Sequence, residues 1–310
     1  MPAATGDPVS ALILEVASKV ENARAKVNLA LHVTGRRGDG YHLLDSLVVF
    51  AEIADTLRAV PRDEAQVKLS VEGQFADDLD RSAPMRDNLV MRAADELMAA
   101  FPKKPIRGVR LDLTKRLPIA AGLGGGSADA AAALRLLDRL WGFGASRETL
   151  AAVGLRLGAD VPACLVSRPL KAEGVGEIIR PVSGIPELPM ILVNPAIALP
   201  TRNVFRRLHP EERTPMWPVP PGFKSLIEFA QWLRLSRNDL FDPAKEEAKI
   251  VGTVVKAVSA DPECLLARMS GSGATVFGIF NSHAAAERAA ARLHAAKPAW
   301  WVAVTRTGGS

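Results

Sequence analysis

The chain has only two cysteines, Cys164 and Cys264, far apart in sequence and without C-x-x-C spacing. That argues against a disulfide framework and a cysteine zinc site, and it fits two reduced core residues in a cytoplasmic protein. Long apolar runs are missing too. The one near the start, Ala11 to Val16, is interrupted by Glu15 and has no basic stretch before it, so it reads as part of a tail over residues 1–20. Basic residues outnumber acidic ones, 39 against 34, but they are scattered rather than aligned along one helix, which speaks against a nucleic-acid surface. No repeat of fixed period stands out. Tyrosine is scarcest of all, with Tyr41 the single example. The remainder, 48% hydrophobic and 24% charged, is ordinary for a soluble globular protein, and 310 residues allow about two domains.

What the sequence does have is a glycine-rich stretch, Pro-Ile-Ala-Ala-Gly-Leu-Gly-Gly-Gly-Ser-Ala at Pro118–Ala128. Before it, Val109, Leu111 and Leu113 alternate with Arg110, Asp112 and Thr114, the period of a half-buried strand. After it, Ser127 is placed to N-cap an Ala/Leu-rich helix reaching Trp141, with Gly142 at C′. Strand, glycine loop and helix together bring bare backbone N–H groups to the positive end of a helix dipole, a natural site for a polyphosphate. A Walker A loop is excluded because Ser127 and Ala128 follow Gly126 where Lys and Ser/Thr are required. A dinucleotide fingerprint fails because Ser127 or Asp129 falls where its third glycine should be. A flexible linker, the plainer alternative, seldom leads directly into a capped helix.

Three other stretches carry candidate chemistry. Ala25–Val33 alternates as a strand with one buried face, so Lys26 and Asn28 point the same way. Tyr41 and His42 follow an Arg36–Gly40 turn; the tyrosine can anchor that turn by packing or offer a platform for a base. Asp160, in Gly-Ala-Asp-Val-Pro, can be a turn residue, but its largely apolar flanks call for a partner that Lys26 can supply. Phe205 reads as core or as a second platform. Further helices are expected over 86–101, 146–157, 224–235, 243–259 and 284–296. The proline-rich stretch 211–222 reads as an exposed loop.

Taken together, Ala-Lys-Val-Asn-Leu at 25–29 with the run to His42, the 118–128 loop, Gly-Ala-Asp-Val-Pro at 158–162, Leu-Pro-Thr-Arg-Asn-Val-Phe at 199–205 and Ser-Gly-Ser-Gly-Ala at 270–274 resemble the ordered motifs of the GHMP small-molecule kinases (galactokinase, homoserine kinase, mevalonate kinase and relatives). The resemblance runs from about residue 22 to 305. It implies an α+β protein of two domains, a ribosomal-S5-like ATP-binding part over 21–180 and a ferredoxin-like part over 181–310 that contributes to the substrate site. It further implies ATP with Mg²⁺ at the junction, held by Pro118, Ile119, Ala120, Ala121, Gly122, Leu123, Gly124, Gly125, Gly126, Ser127 and Ala128. Where family members often carry a second serine this chain has Ala128, which leaves Ser127 as the hydroxyl beside the phosphates. Asp160 is the implied general base and Lys26 the catalytic lysine, with no metal-ligating side chain assigned. Asn28, Tyr41, His42, Thr201 and Phe205 are the implied substrate contacts, with Phe205 facing Tyr41 across a cytosine. The implied acceptor is the 2-hydroxyl of CDP-methylerythritol, in non-mevalonate isoprenoid precursor synthesis, handled by a monomer or weak homodimer without nucleic-acid or membrane partners. A GHMP kinase for a sugar, homoserine or mevalonate is the alternative. An S5-like RNA-binding module is another, but it leaves Lys26 and Asp160 without roles.

Overall fold

The computed structural model describes residues 20–82, 84–208 and 214–307. The expected tail, apart from Val20, and residues 211–213 of the proline-rich loop lie outside them.

Two long strands make the frame. β1 (Val20–Arg36) runs antiparallel to β2 (His42–Arg62). At 21 residues, β2 is long enough to serve β4 (Gly108–Thr114) at one end and β5 (Leu170–Gly174) at the other. β3 (Val67–Glu72) pairs with β4, and β6 (Ile178–Pro181) with β5, giving the order β3-β4-β2-β5-β6 with β1 also on β2. A second sheet has the order β10-β7-β9-β8, from β7 (Pro189–Asn194), β8 (Cys264–Met269), β9 (Val276–Phe280) and β10 (Trp301–Arg306).

The apolar pattern of each strand decides what covers it. On β2, Val48 and Phe50 pack with the helical residues Val90, Ala93, Leu97, Leu134 and Leu137. The intervening Leu47 and Val49 pack instead with Val27 and Leu29 of β1 and with Met190, Leu192, Phe277 and Ile279 of the second sheet. Ile191, Val193, Val276 and Phe280 turn outward to Val251, Val254, Val258 and an alanine stripe at 285, 286 and 289. The molecule is thus four layers, helix–sheet–sheet–helix, and β1 is buried on both faces. Lys26, Asn28 and His32, expected on an open strand face, are buried in consequence. Each fully buried Val, Leu or Phe contributes roughly 1.5–3 kcal/mol, so Val27, Leu29, Leu31 and Val33 anchor β1 firmly in the frame.

Short helices α1 (Ala76–Ser82) and α2 (Leu89–Ala100) precede β4; Asn88 caps α2 by accepting from Val90 N–H at 2.9 Å. α3 (Gly125–Trp141) follows the glycine loop and ends at Gly142 in the left-handed region, as its sequence predicts. Its start differs. Gly124 holds the N-cap position at φ 61°, without a side-chain cap, and Ser127 lies inside the first turn. Then come α4 (Arg147–Leu157), capped by Ser146, and α5 (Val161–Val166). Beyond β7 lie α6 (Thr201–Arg206) and α7 (Leu226–Arg234). The single helix expected over 243–259 is two, α8 (Phe241–Glu247) and α9 (Ile250–Ser259), because Ala248 is extended at φ −148°. α10 (His283–Ala296) leads to β10.

Candidate active site

Lys26 lies on β1 between two register irregularities, at Arg24/Lys26 and Asn28/Ala30. Its N–H donates to Leu123 O at 2.9 Å, tying the strand to the glycine loop. The ammonium stands 3.1 Å from Asp160 Oδ1 and donates to Asn28 Oδ1 at 3.1 Å. Asn28 is oriented from its other end, where Nδ2 donates to Ser46 Oγ at 2.8 Å and Ser46 donates on to Ala30 O at 2.6 Å. Asp160 immediately precedes α5, and its side chain is 49% exposed rather than enclosed by its apolar flanks. One buried cation therefore holds a carboxylate that still reaches water.

The glycine loop lines the same cavity, about 430 Å³ in volume. Gly122 has φ +73°, and a Cβ there would lie 2.3 Å from Ser270 O, so its bare Cα admits the second glycine cluster. Gly124 has φ +61°, and a Cβ would come within 2.9 Å of Lys26 Cε. These two glycines serve contacts inside the protein as well as leaving the wall open. Ser270 donates to Gly122 O at 2.9 Å and accepts from Asn28 N–H at 3.1 Å, while Thr275 N–H donates to Ala121 O at 3.1 Å. Asn238 holds the far side of that cluster, giving its two Nδ2 hydrogens to Met269 O and Gly271 O at 2.8 Å each. Gly125, Gly126 and Ser127 open α3 with no side-chain cap, so their N–H groups have no partner within the helix, and all three residues line the cavity at the positive end of a 17-residue helix.

The structure brings Lys26, Asn28, Asp160, Thr201, Phe205 and most of the loop onto one cavity: Pro118, Ile119, Ala120, Ala121, Gly122, Gly124, Gly125, Gly126 and Ser127 line it. Leu123 and Ala128 are buried behind the wall. Thr201 Oγ1 is 2.8 Å from Ser272 Oγ. Phe205 does not pair with Tyr41. Its ring lies 5.2 Å from that of His42, tilted by 31°, and burial followed by the charge of Arg36 lowers the His42 pKa. Tyr41 is 63% exposed beneath the Arg37 guanidinium, 5.6 Å from the ring centre, and neither it nor His42 lines the cavity.

Sequence reasoning missed a second set of charged residues at this wall. Lys115, 1% exposed, bridges Asp55 Oδ2 and Asp129 Oδ2, the latter at 2.7 Å. Asp129 is a lone charged residue among the apolar residues that open α3, which is the signal that marks it. Lys115, Asp129 and Asn88 all line the cavity. Among the described residues no group of three His, Cys, Asp or Glu side chains could hold a metal ion.

Two family profiles match the chain: the GHMP kinases N terminal domain over residues 88–168, spanning the glycine loop and Asp160, and the GHMP kinases C terminal domain over 221–299, spanning the second glycine cluster. A 4-diphosphocytidyl-2-C-methyl-D-erythritol kinase from Dinoroseobacter shibae is 48% identical over 283 residues, 91% of this chain and 93% of the relative. The chain belongs to the GHMP kinases. Another relative of the same name, from Ruegeria pomeroyi, is also 48% identical, over 91% of this GHMP kinase and 96% of the relative. A crystal structure of 4-(cytidine 5′-diphospho)-2C-methyl-D-erythritol kinase superposes with a TM-score of 0.75 at 35% identity, covering 94% of this chain and 100% of the other. The two-domain GHMP kinase architecture expected from the motifs is the one observed, with a sheet in each domain. Among the described residues of this kinase no helix is long and apolar enough to cross a membrane.

Proposed function

We propose that this kinase transfers the γ-phosphoryl group of ATP to the 2-hydroxyl of 4-diphosphocytidyl-2-C-methyl-D-erythritol, the compound its 48%-identical relatives are named for. One observation carries the reading: Lys26 Nζ lies 3.1 Å from Asp160 Oδ1 on the wall of a cavity that the glycine loop also lines. Phosphoryl transfer asks a protein mainly to position two reactants and to compensate charge, and this wall has parts for both. Asp160, half in water, is the group that takes the proton from the acceptor hydroxyl. Lys26, buried and fixed by Asn28, holds Asp160 in place by their ion pair and offsets charge on the reacting oxygens. The N–H groups of Gly125, Gly126 and Ser127 cradle the phosphates. Thr201 and Phe205, with His42 behind Phe205, hold the cytidine side; Tyr41 sits outside, where it covers the base only at the rim.

Mg²⁺ would be carried by the triphosphate of ATP, where it would neutralise charge on the phosphoryl group being transferred. Residues 21–180 form the ATP-binding part and 181–310 the part completing the acceptor site; the end of β6 at Pro181 and the start of β7 at Pro189 support that division. The test is ATP consumption with CDP-methylerythritol beside galactose, homoserine and mevalonate. Turnover is expected with the first alone, and turnover with another acceptor in its place overturns the proposal.

A further inference from the structure

Beneath the glycine loop, one ammonium is shared by two carboxylates in complete burial: Lys115, Asp55 and Asp129 are 1%, 0% and 3% exposed. The three come from different elements. Asp55 is on β2, Lys115 follows β4 at the entry to the loop, and Asp129 is in the first turns of α3 at its exit. Asp55 also accepts the N–H groups of Arg116 and Leu117 at 2.6 and 2.9 Å. The cluster therefore clamps both ends of the loop to one sheet.

Its charges do not balance. If both carboxylates ionise, the site carries one uncompensated negative charge away from water, which is costly. Donors decide which carboxyl gives way. Asp55 receives three, Lys115 Nζ and two backbone N–H groups, whereas Asp129 receives Lys115 alone. Asp129 Oδ1 is buried without a hydrogen-bond partner, and Asp129 lines the cavity. The buried residues of the helices packed on α3 bring no cation to it: those of α2 are Val90, Ala93, Ala94 and Leu97, those of α4 are Val153, Gly154 and Leu157, and α5 offers the thiol of Cys164; the strands packed on it bring Asp55 from β2 and Lys26 from β1. Burial pushes that thiol up to about 12, so it stays neutral. On the cavity side the charged groups are Lys26, already paired with Asp160, and Asp87.

We propose that Lys115, Asp55 and Asp129 are positioning residues of the phosphate loop, and that Asp129 takes up a proton when a polyphosphate binds there. The inference rests on the reading of this loop as the ATP site. Burial raises the Asp129 pKa above the ordinary carboxylate range, to about 7; Lys115 opposes the rise and Asp55 adds to it. For Lys115, burial acts downward, but Asp129 and Asp55 outweigh it and the ammonium pKa is raised. A polyphosphate on the N–H groups of Gly125 to Ser127 adds negative charge within one helical turn of Asp129 and raises its pKa further. The bound form is then favoured while Asp129 is protonated, and affinity falls as pH rises through 7.

The experiment is isothermal titration of ATP into the full chain at pH 7.5, in two buffers of different ionisation enthalpy. The wild type is compared with Asp129→Asn, whose amide oxygen can still accept from Lys115. The wild type is expected to take up roughly half a proton more per ATP than the variant, because protons released or bound by the nucleotide itself cancel in the comparison. Its Kd for ATP should weaken by about 3-fold per pH unit just above pH 7, the slope that half a proton gives, and that slope should flatten in Asp129→Asn. Equal proton counts in the two proteins overturn the inference and leave the kinase reading standing. If the variant does not fold, a wild-type Kd that is flat between pH 6.5 and 8.5 overturns it equally. Absence of ATP binding at every pH overturns both readings.

Discussion

Replacing Asp160 with asparagine keeps the shape of the side chain and removes its capacity to take a proton. The structure separates what this does to rate from what it does to stability. The Asp160 side chain is 49% exposed and its partner Lys26 only 7%, so the pair is half in water. A pair so screened contributes less than about 1 kcal/mol to folding, equivalent to a fall in Tm of no more than about 4 °C. Loss of a general base costs roughly 10²–10⁴ in rate, or about 2.7–5.5 kcal/mol of barrier. Asp160→Asn should therefore lower kcat by that factor at saturating ATP and CDP-methylerythritol, with calorimetric ATP affinity retained and Tm nearly unchanged. Lys26→Met behaves differently, because it also leaves the buried Asn28 Oδ1 without its donor, at about 1–3 kcal/mol. It should lose both rate and Tm. A kcat for Asp160→Asn within about 5-fold of wild type would refute the assignment of the base.

Gly124→Val places a β-branched side chain at φ +61° against Lys26 Cε, so ATP binding and kcat should both be lost in a protein that still shows native circular dichroism; unchanged calorimetric affinity removes the phosphate-loop reading. Phe205→Ala should raise KM for CDP-methylerythritol by roughly 5- to 150-fold, the value of one base–aromatic stack, while Tyr41→Ala stays within a few-fold; the reverse ranking would return the platform role to Tyr41. His32 accepts Arg237 N–H at Nε2 and donates from Nδ1 to Thr214 O, both at 3.1 Å, so it is held neutral, and burial before all else lowers its pKa. The unfolded chain binds the proton more tightly, so stability should decline as pH falls through about 6.5 and stop declining below the lowered folded value. Urea unfolding between pH 7.5 and 5 should show this slope in the wild type and a shallower one in His32→Gln; identical slopes remove the assignment.

Much of this site is local in sequence and could be read there. The 118–128 loop shows because strand, glycines and helix are contiguous, and Lys26 and Asn28 show because β1 alternates. Ser127 was misplaced as the cap because capping preference favours serine, while a glycine able to take φ 61° sits three residues earlier. The Lys115 cluster was illegible because its members lie 60 and 14 residues from Lys115, and no periodicity links them. Tyr41 drew attention by rarity, yet rarity says nothing about direction; the ring that meets Phe205 belongs to its neighbour His42. The double burial of β1 was hidden for a related reason, since covering its second face requires residues 190–279.

That double burial has a consequence for how the protein can fail. Loops and lids usually open at a small fraction of the global unfolding free energy, but Lys26 sits on a strand of the first sheet covered by helices on one side and the second sheet on the other, with its N–H committed to Leu123 O. The amide of Lys26 should exchange with solvent deuterium only as fast as the whole molecule unfolds. Partial denaturation would then fray the periphery while leaving Lys26 in place, and activity would be lost in one step together with the fold.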